Sequence, residues 1–216
     1  MIVAERIGEI RRSIPDGVTL VCVSKFHPAP LIMEAYNAGE RDFGESRVQE
    51  LCAKYEALPK DIRWHFIGHL QTNKVRQIVP FVHLIQSVDS ERLLDVIEAE
   101  AARIGRVVNV LLEVHTAREE TKTGLSAEEL TGILANTDRR PHVRICGLMT
   151  MATNTDDETE IHRCFKELKA VSNQLSAISG LQAEILSMGM SDDYGLAIAD
   201  GSNMVRIGSK IFGERA

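Results

Sequence analysis

Apolar residues fall along this chain in two patterns: short unbroken runs, and stripes that repeat every three or four positions. The runs predict strands near 18–24, 41–43, 63–67, 82–86, 107–114, 143–149, 184–188 and 203–207. The first, from Val18 to Val23, is apolar and β-branched almost throughout, as a strand covered on both faces is. The stripes predict helices between the strands. One over 30–38 has Pro30 in its first turn and stops at Gly39. One over 89–104 takes Asp89 as its cap, keeps Leu93, Leu94, Ile97 and Ala101 on one face and ends before Gly105. Ser126-Ala-Glu-Glu129 is a capping box for another. The longest, over 157–179, spaces Ile161, Phe165, Leu168, Val171 and Leu175 at helical intervals, and an amphipathic helix over 2–13 precedes the first strand.

Eight strands alternating with helices predict parallel βαβ units, and eight is the number that closes a (β/α)8 TIM barrel. An open doubly wound sheet meets the same count. With no low-complexity linker, repeat or composition break, residues 1–216 are expected to form a single domain, a (β/α)8 barrel with an extra N-terminal helix. Composition adds exclusions. A net charge of −6 without a basic run argues against nucleic acid and anionic membrane as partners. No apolar stretch approaches a membrane span, and Glu5 and Glu9 interrupt the N-terminal apolar residues where a signal peptide needs a core, so a cytoplasmic location is expected. Cys22, Cys52, Cys146 and Cys164 have no CxxC spacing and read as reduced, small hydrophobes. The seven histidines include no HExxH or HxH pair, so no metal site is expected.

In such a barrel the active site lies where strands end and βα loops begin. Lys25 stands at the first of those places. An amine desolvated at its stem attacks carbonyl compounds readily, whereas a lysine that snorkels into water does nothing of the kind, and the local sequence allows both. The loops after strands seven and eight, Gly189-Met-Ser191 and Gly208-Ser209-Lys210, each open a short helix and are placed to hold a phosphate. Ser191 equally suits the N-cap of a 192–200 helix, and Asp192 and Asp193 weigh against an anion. Arg206 lies inside the eighth strand, between Val205 and Ile207, where a guanidinium needs partners. It faces a ligand ring, pairs with Glu45 or Glu113, or does both. The polar segment 116–124 is long enough for a lid over the pocket, or is a solvated connection.

Val23-Ser-Lys25, Phe43-Gly-Glu, Val48-Gln-Glu50, Trp64-His-Phe-Ile-Gly68, Leu70-Gln-Thr-Asn-Lys74, Gly147-Leu-Met149, Leu186-Ser-Met-Gly-Met-Ser-Asp-Asp193 and Met204-Val-Arg-Ile-Gly-Ser209…Ile211-Phe-Gly213 resemble the pyridoxal-phosphate homeostasis protein family. The resemblance spans about Val21 to Phe212 and implies the fold-type III barrel of the alanine racemase N-terminal domain. It implies pyridoxal 5'-phosphate held as an internal aldimine on Lys25, the phosphate on Ser191, Gly208 and Ser209, and Arg206 facing the pyridine nitrogen. Two positions depart from the family pattern. Ser46-Arg47 follows Phe-Gly-Glu where Asn and an aromatic are usual, so the Asn contact near the cofactor is shortened to Ser46 or replaced by water. His69 stands where Pro usually follows Ile-Gly, which alters the third loop.

A guanidinium at the pyridine nitrogen cannot accept its proton and weakens the ring as an electron sink. The similar racemases add a tyrosine base from a C-terminal β-domain, which is not expected here because the chain ends at Ala216. Of Tyr36, Tyr55 and Tyr194, only the last, just after Ser191, is near the expected site. The expected function is therefore intracellular storage and delivery of pyridoxal phosphate, with little or no turnover, no catalytic residue, a monomeric state and transient contact with apo pyridoxal-phosphate enzymes. The alternatives are an amino-acid racemase using Lys25 as a base, and a lysine-imine aldolase of the same barrel class.

Overall fold

The computed structural model describes residues 2–118, 123–179 and 184–213. Eight parallel strands close into a barrel in sequence order: β1 (Thr19–Val23), β2 (Asp42–Glu45), β3 (Arg63–Phe66), β4 (Leu84–Val88), β5 (Val108–Glu113), β6 (Val143–Met149), β7 (Ile185–Ser187) and β8 (Met204–Ile207). Closure comes from β1 against β8, with Thr19 opposite Met204 and Cys22 opposite Ile207. That pairing decides between the two expected architectures, because an open sheet leaves its terminal strands unpaired.

The α-helices are α1 (Val3–Ser13), α2 (Ala29–Asn37), α3 (Val48–Ala57), α4 (Val75–Ile78), α5 (Glu91–Arg103), α6 (Ala127–Leu134), α7 (Glu158–Ser179), α8 (Tyr194–Ala199) and α9 (Ser209–Phe212). The extra N-terminal helix α1 buries Val3, Ile7 and Ile10, and Arg11 forks onto the Glu40 carboxylate at 2.8 and 2.5 Å. Successive strand residues face opposite ways, which divides the apolar positions into two cores. Leu20, Cys22, Val205 and Ile207 face outward into the large core shared with the helices. Val21, Met204, Leu84, Leu111, Cys146 and Met149 form a small cluster inside the barrel.

Three local expectations change. Helix α5 is capped by Ser90, whose hydroxyl accepts the Leu93 N–H at 3.3 Å, and not by Asp89. Asp89 instead meets His69 Nδ1 at 2.9 Å. The 192–200 helix is shorter, Tyr194–Ala199, and Ser191 does not cap it. The capping box at Ser126 forms as expected, with Ser126 N–H donating to Glu129 at 2.8 Å. Residues 119–122 of the 116–124 segment lie outside the described residues, so the lid expectation does too.

Candidate active site at the barrel mouth

A cavity of about 490 Å³ opens at the C-terminal ends of β1, β2, β3, β6, β7 and β8. It is within the size range of small-molecule sites. Lys25, Ser46, Ser191, Arg206, Gly208 and Ser209 all line it. Val23, Ile67, Met151 and Met190 supply its apolar wall. The six polar candidates, scattered over more than 180 positions of sequence, thus share one space.

Lys25 is half-buried in a tight turn that follows β1. The next residue, Phe26, has φ +68°, a backbone conformation that costs a bulky residue energy and needs support from outside. That support is a charge cluster which sequence reasoning missed. Lys54 of α3, nearly fully buried, donates to the Ser24 carbonyl at 2.8 Å, to Glu45 Oε1 at 2.7 Å and to Glu50 Oε1 at 2.6 Å. Glu50 Oε1 also accepts the Phe26 N–H at 2.6 Å, and the Ser24 hydroxyl donates to Glu45 Oε1 at 2.6 Å. The residues on either side of Lys25 are therefore both tied to one ammonium and two carboxylates. Burial pushes the Glu45 carboxyl above its ordinary range, and Lys54 pulls it back. Lysines in the middle of a helix are common on solvated faces, so only the packing of α3 against β2 and β3 marks this one.

Arg206 is 4% exposed. Its Nη1 donates to the carbonyl and hydroxyl oxygens of Ser187, at 2.9 and 2.6 Å, and its Nη2 to the Thr150 carbonyl at 2.9 Å. The pairing with Glu45 or Glu113 does not occur, because Lys54 holds Glu45 and Thr123 donates to Glu113 at 3.1 Å. Among the described residues Arg206 has no ion pair. Burial without an acid in contact pushes its pKa down to about 10, with Asp193 and Glu113 countering from a distance. A guanidinium has five N–H donors, and donors remain on the side that lines the cavity. Ser187 and Thr150 take three of the five.

On the β7–β8 side the rim is set by close approach of backbone. Gly189 has φ +90°, and a Cβ there would lie 2.6 Å from Ala197 Cβ and 2.8 Å from Tyr194 Cα. Gly208 has an ordinary φ of −120°, but a Cβ would come 3.1 Å from the Val23 carbonyl, so its small size serves the contact with β1. The buried Ser191 hydroxyl accepts the Gly208 N–H at 3.3 Å and joins the two loops. Ser209 is exposed on the rim. In the short α9 the Ile211 and Phe212 N–H groups donate to the Gly208 carbonyl, each at 2.9 Å. Asp193 is spent on the Met190 N–H at 2.5 Å, whereas Asp192 lines the cavity. His27, also missed from sequence, lines it too and stacks on Phe212 with ring centroids 5.1 Å apart. Tyr194 turns away. Its hydroxyl meets Ser13 Oγ of α1 at 2.9 Å, and it does not line the cavity.

The family model for the alanine racemase N-terminal domain matches residues 3–216. The pyridoxal phosphate homeostasis protein of Aquifex aeolicus is 41% identical over 197 residues, covering 91% of this chain and 86% of that one. The chain belongs to the pyridoxal phosphate homeostasis protein family. PipY of Synechococcus elongatus PCC7942, in its structure with pyridoxal phosphate bound, matches with a TM-score of 0.91 at 37% identity, over 98% of this chain and all of that one. The alanine racemase of Streptomyces coelicolor A3(2) shares the barrel, with a TM-score of 0.79 at 20% identity over 98% of this chain and 57% of its own. Within the pyridoxal phosphate homeostasis family the two departures of this chain have different consequences. Ser46 lines the cavity, so that exchange alters its wall. His69 is exposed, bonds to Asp89 and lies off the cavity.

Proposed function

We propose that this protein binds pyridoxal 5'-phosphate in the mouth cavity and serves in intracellular storage and delivery of the cofactor. The observation that carries this reading is the buried, acid-free Arg206 sharing one cavity with the Lys25 amine. A pyridine nitrogen is a neutral acceptor that satisfies such a cation without demanding a proton from it. The cofactor supplies an aldehyde carbon, open to attack by a lysine amine, and an aromatic ring that stabilises charge. Lys25 holds the aldehyde end. Ser191, Gly208 and Ser209 hold the phosphate, while Ser46 contacts the ring side. The names and the bound ligand of the relatives support the same ligand.

Little or no turnover is part of the reading. Arg206 cannot take a proton from the ring nitrogen's side, and Tyr36, Tyr55 and Tyr194 all lie off the cavity, so no tyrosine serves as a second base. Tyr36 donates to Asp61, and Tyr55 stacks on Phe81. We take the chain to act as one domain and as a monomer in the cytoplasm, meeting apo pyridoxal-phosphate enzymes transiently. No helix among the described residues is long and apolar enough to cross a membrane. Purified protein mixed with the cofactor is expected to gain a visible absorption band that resists dialysis, and Lys25→Ala to lose it. Loss of label from Cα-deuterated alanine at an enzymatic rate would overturn the non-catalytic part. A wild-type protein that stays colourless would overturn the whole.

A further inference from the structure

Arg206 is the end of a chain of hydrogen bonds that crosses the barrel. From its Nη1 the chain runs to Ser187 Oγ at 2.6 Å, and the Ser187 hydroxyl donates to Gln86 Oε1 at 2.7 Å. Gln86 Nε2 lies 2.8 Å from His65 Nδ1, and His65 Nε2 lies 3.0 Å from Asp42 Oδ1. Arg63 holds that carboxylate from the other side, its Nε donating to Oδ1 at 2.7 Å. Every member from Asp42 to Arg206 is at most 8% exposed. Asp42, Arg63 and His65 line a second cavity, of about 240 Å³, at the strand N-termini, the opposite pole from Lys25.

The donors all point one way. An amide nitrogen can only donate, so His65 Nδ1 accepts from Gln86 and the imidazole proton sits on Nε2, facing Asp42. In the same orientation the Gln86 oxygen accepts from the Ser187 hydroxyl, whose oxygen is left to accept from Arg206. A second proton on His65, at Nδ1, would face the Gln86 amide donor. Relief requires the amide to flip, and Ser187 then loses the acceptor of its own proton next to Arg206. The groups facing the imidazole are Asp42 from β2, with Arg63 behind it, Gln86 from β4, and His83 just before β4, with ring centroids 5.5 Å apart. Cys146 of β6 and Met204 of β8 complete that wall.

We infer that His65 and Gln86 are positioning residues for Arg206, and that the proton on His65 and the occupant of the mouth cavity influence each other across the barrel. Such coupling is reciprocal. The inference rests on the cofactor reading above. It is tested first on the unaltered protein, by following the His65 imidazole by NMR against pH, with and without pyridoxal phosphate and with inorganic phosphate alone. The cofactor is expected to move the His65 titration, and inorganic phosphate, which reaches only the rim, to leave it in place. His65→Leu and Gln86→Leu are expected to shift the cofactor's absorption band and to weaken its retention about tenfold, the size of one charge-assisted hydrogen bond. His65→Asn, whose amide oxygen replaces Nδ1 as the acceptor, is expected to restore both. A purely structural role would lower the melting temperature and move neither the band nor the titration. An unmoved His65 titration in protein that has acquired the band overturns this inference alone; protein that never acquires the band overturns the cofactor reading first.

Discussion

The two sides of the mouth are built on different physics. On the β1–β3 side, charge does the work: Lys54 binds Ser24, Glu45 and Glu50 within 2.8 Å, and Glu50 holds the strained Phe26. On the β7–β8 side, backbone meets backbone at Gly189 and Gly208, and the buried cation, Arg206, has no acid in contact. On the first side Lys54 pairs with both carboxylates, and Glu45 Oε2 is buried without a hydrogen-bond partner. The second has a donor to spare. On the cofactor reading proposed above, the first side would fix the amine that anchors the ligand and the second would offer donors that the ligand itself satisfies.

Removing the cation from the first side is expected to have the largest effect. Lys54→Met leaves Glu45 and Glu50 facing each other in a buried site and frees the Phe26 turn; a loss of about 3–5 kcal/mol in urea unfolding is expected. A loss below about 1 kcal/mol would show that charge does not hold this side together. Next comes Gly189→Ala, which forces an unfavourable φ and meets Ala197 and Tyr194. It is expected to cost about 1–3 kcal/mol, with cofactor capture falling along with it. Arg206→Met separates stability from binding. Stability of the apo protein should stay within about 1 kcal/mol of wild type, because a desolvated cation is removed together with its hydrogen bonds. Retention of the cofactor should fall tenfold or more in dialysis. Equal losses in both would erase the contrast between the two sides. Ser209→Ala, on the exposed rim, is the smallest change, with unchanged melting and cofactor release faster by about threefold, the effect of a single weak hydrogen bond.

The eight strands and the motifs at their ends were legible because each rests on a local rule. A covered strand is a β-branched run, a helix is a three-to-four stripe, and Ser126 and Glu129 cap each other within four residues. Where two local rules compete, the sequence is silent. Asp89 and Ser90 both suit an N-cap, and the contact of Asp89 with His69 on another loop decides for Ser90. Glu45 and Glu113 both suited Arg206, but Lys54 and Thr123 reach them first. Lys54 and Gln86 carried no signal, and His65 only belonged to the Trp64-His-Phe-Ile-Gly68 block with no role attached to it. Their partners stand on other strands and helices, and no spacing within the chain encodes that proximity.

The order of apolar runs and stripes by itself determined eight strands alternating with helices, with Lys25 at the end of the first strand and the glycine-serine loops after the seventh and eighth, while closure into a barrel rests on the pairing of β1 with β8. The local features depend on neighbours within a few residues, where backbone geometry fixes who meets whom. Tertiary structure alone decided that Arg206 lacks an acid, that Lys54 clamps the lysine turn, and that a line of hydrogen bonds reaches from Arg206 to Asp42. Each depends on which of several chemically suitable groups the closed barrel brings within 3 Å, and closure places those groups through packing between elements far apart in sequence.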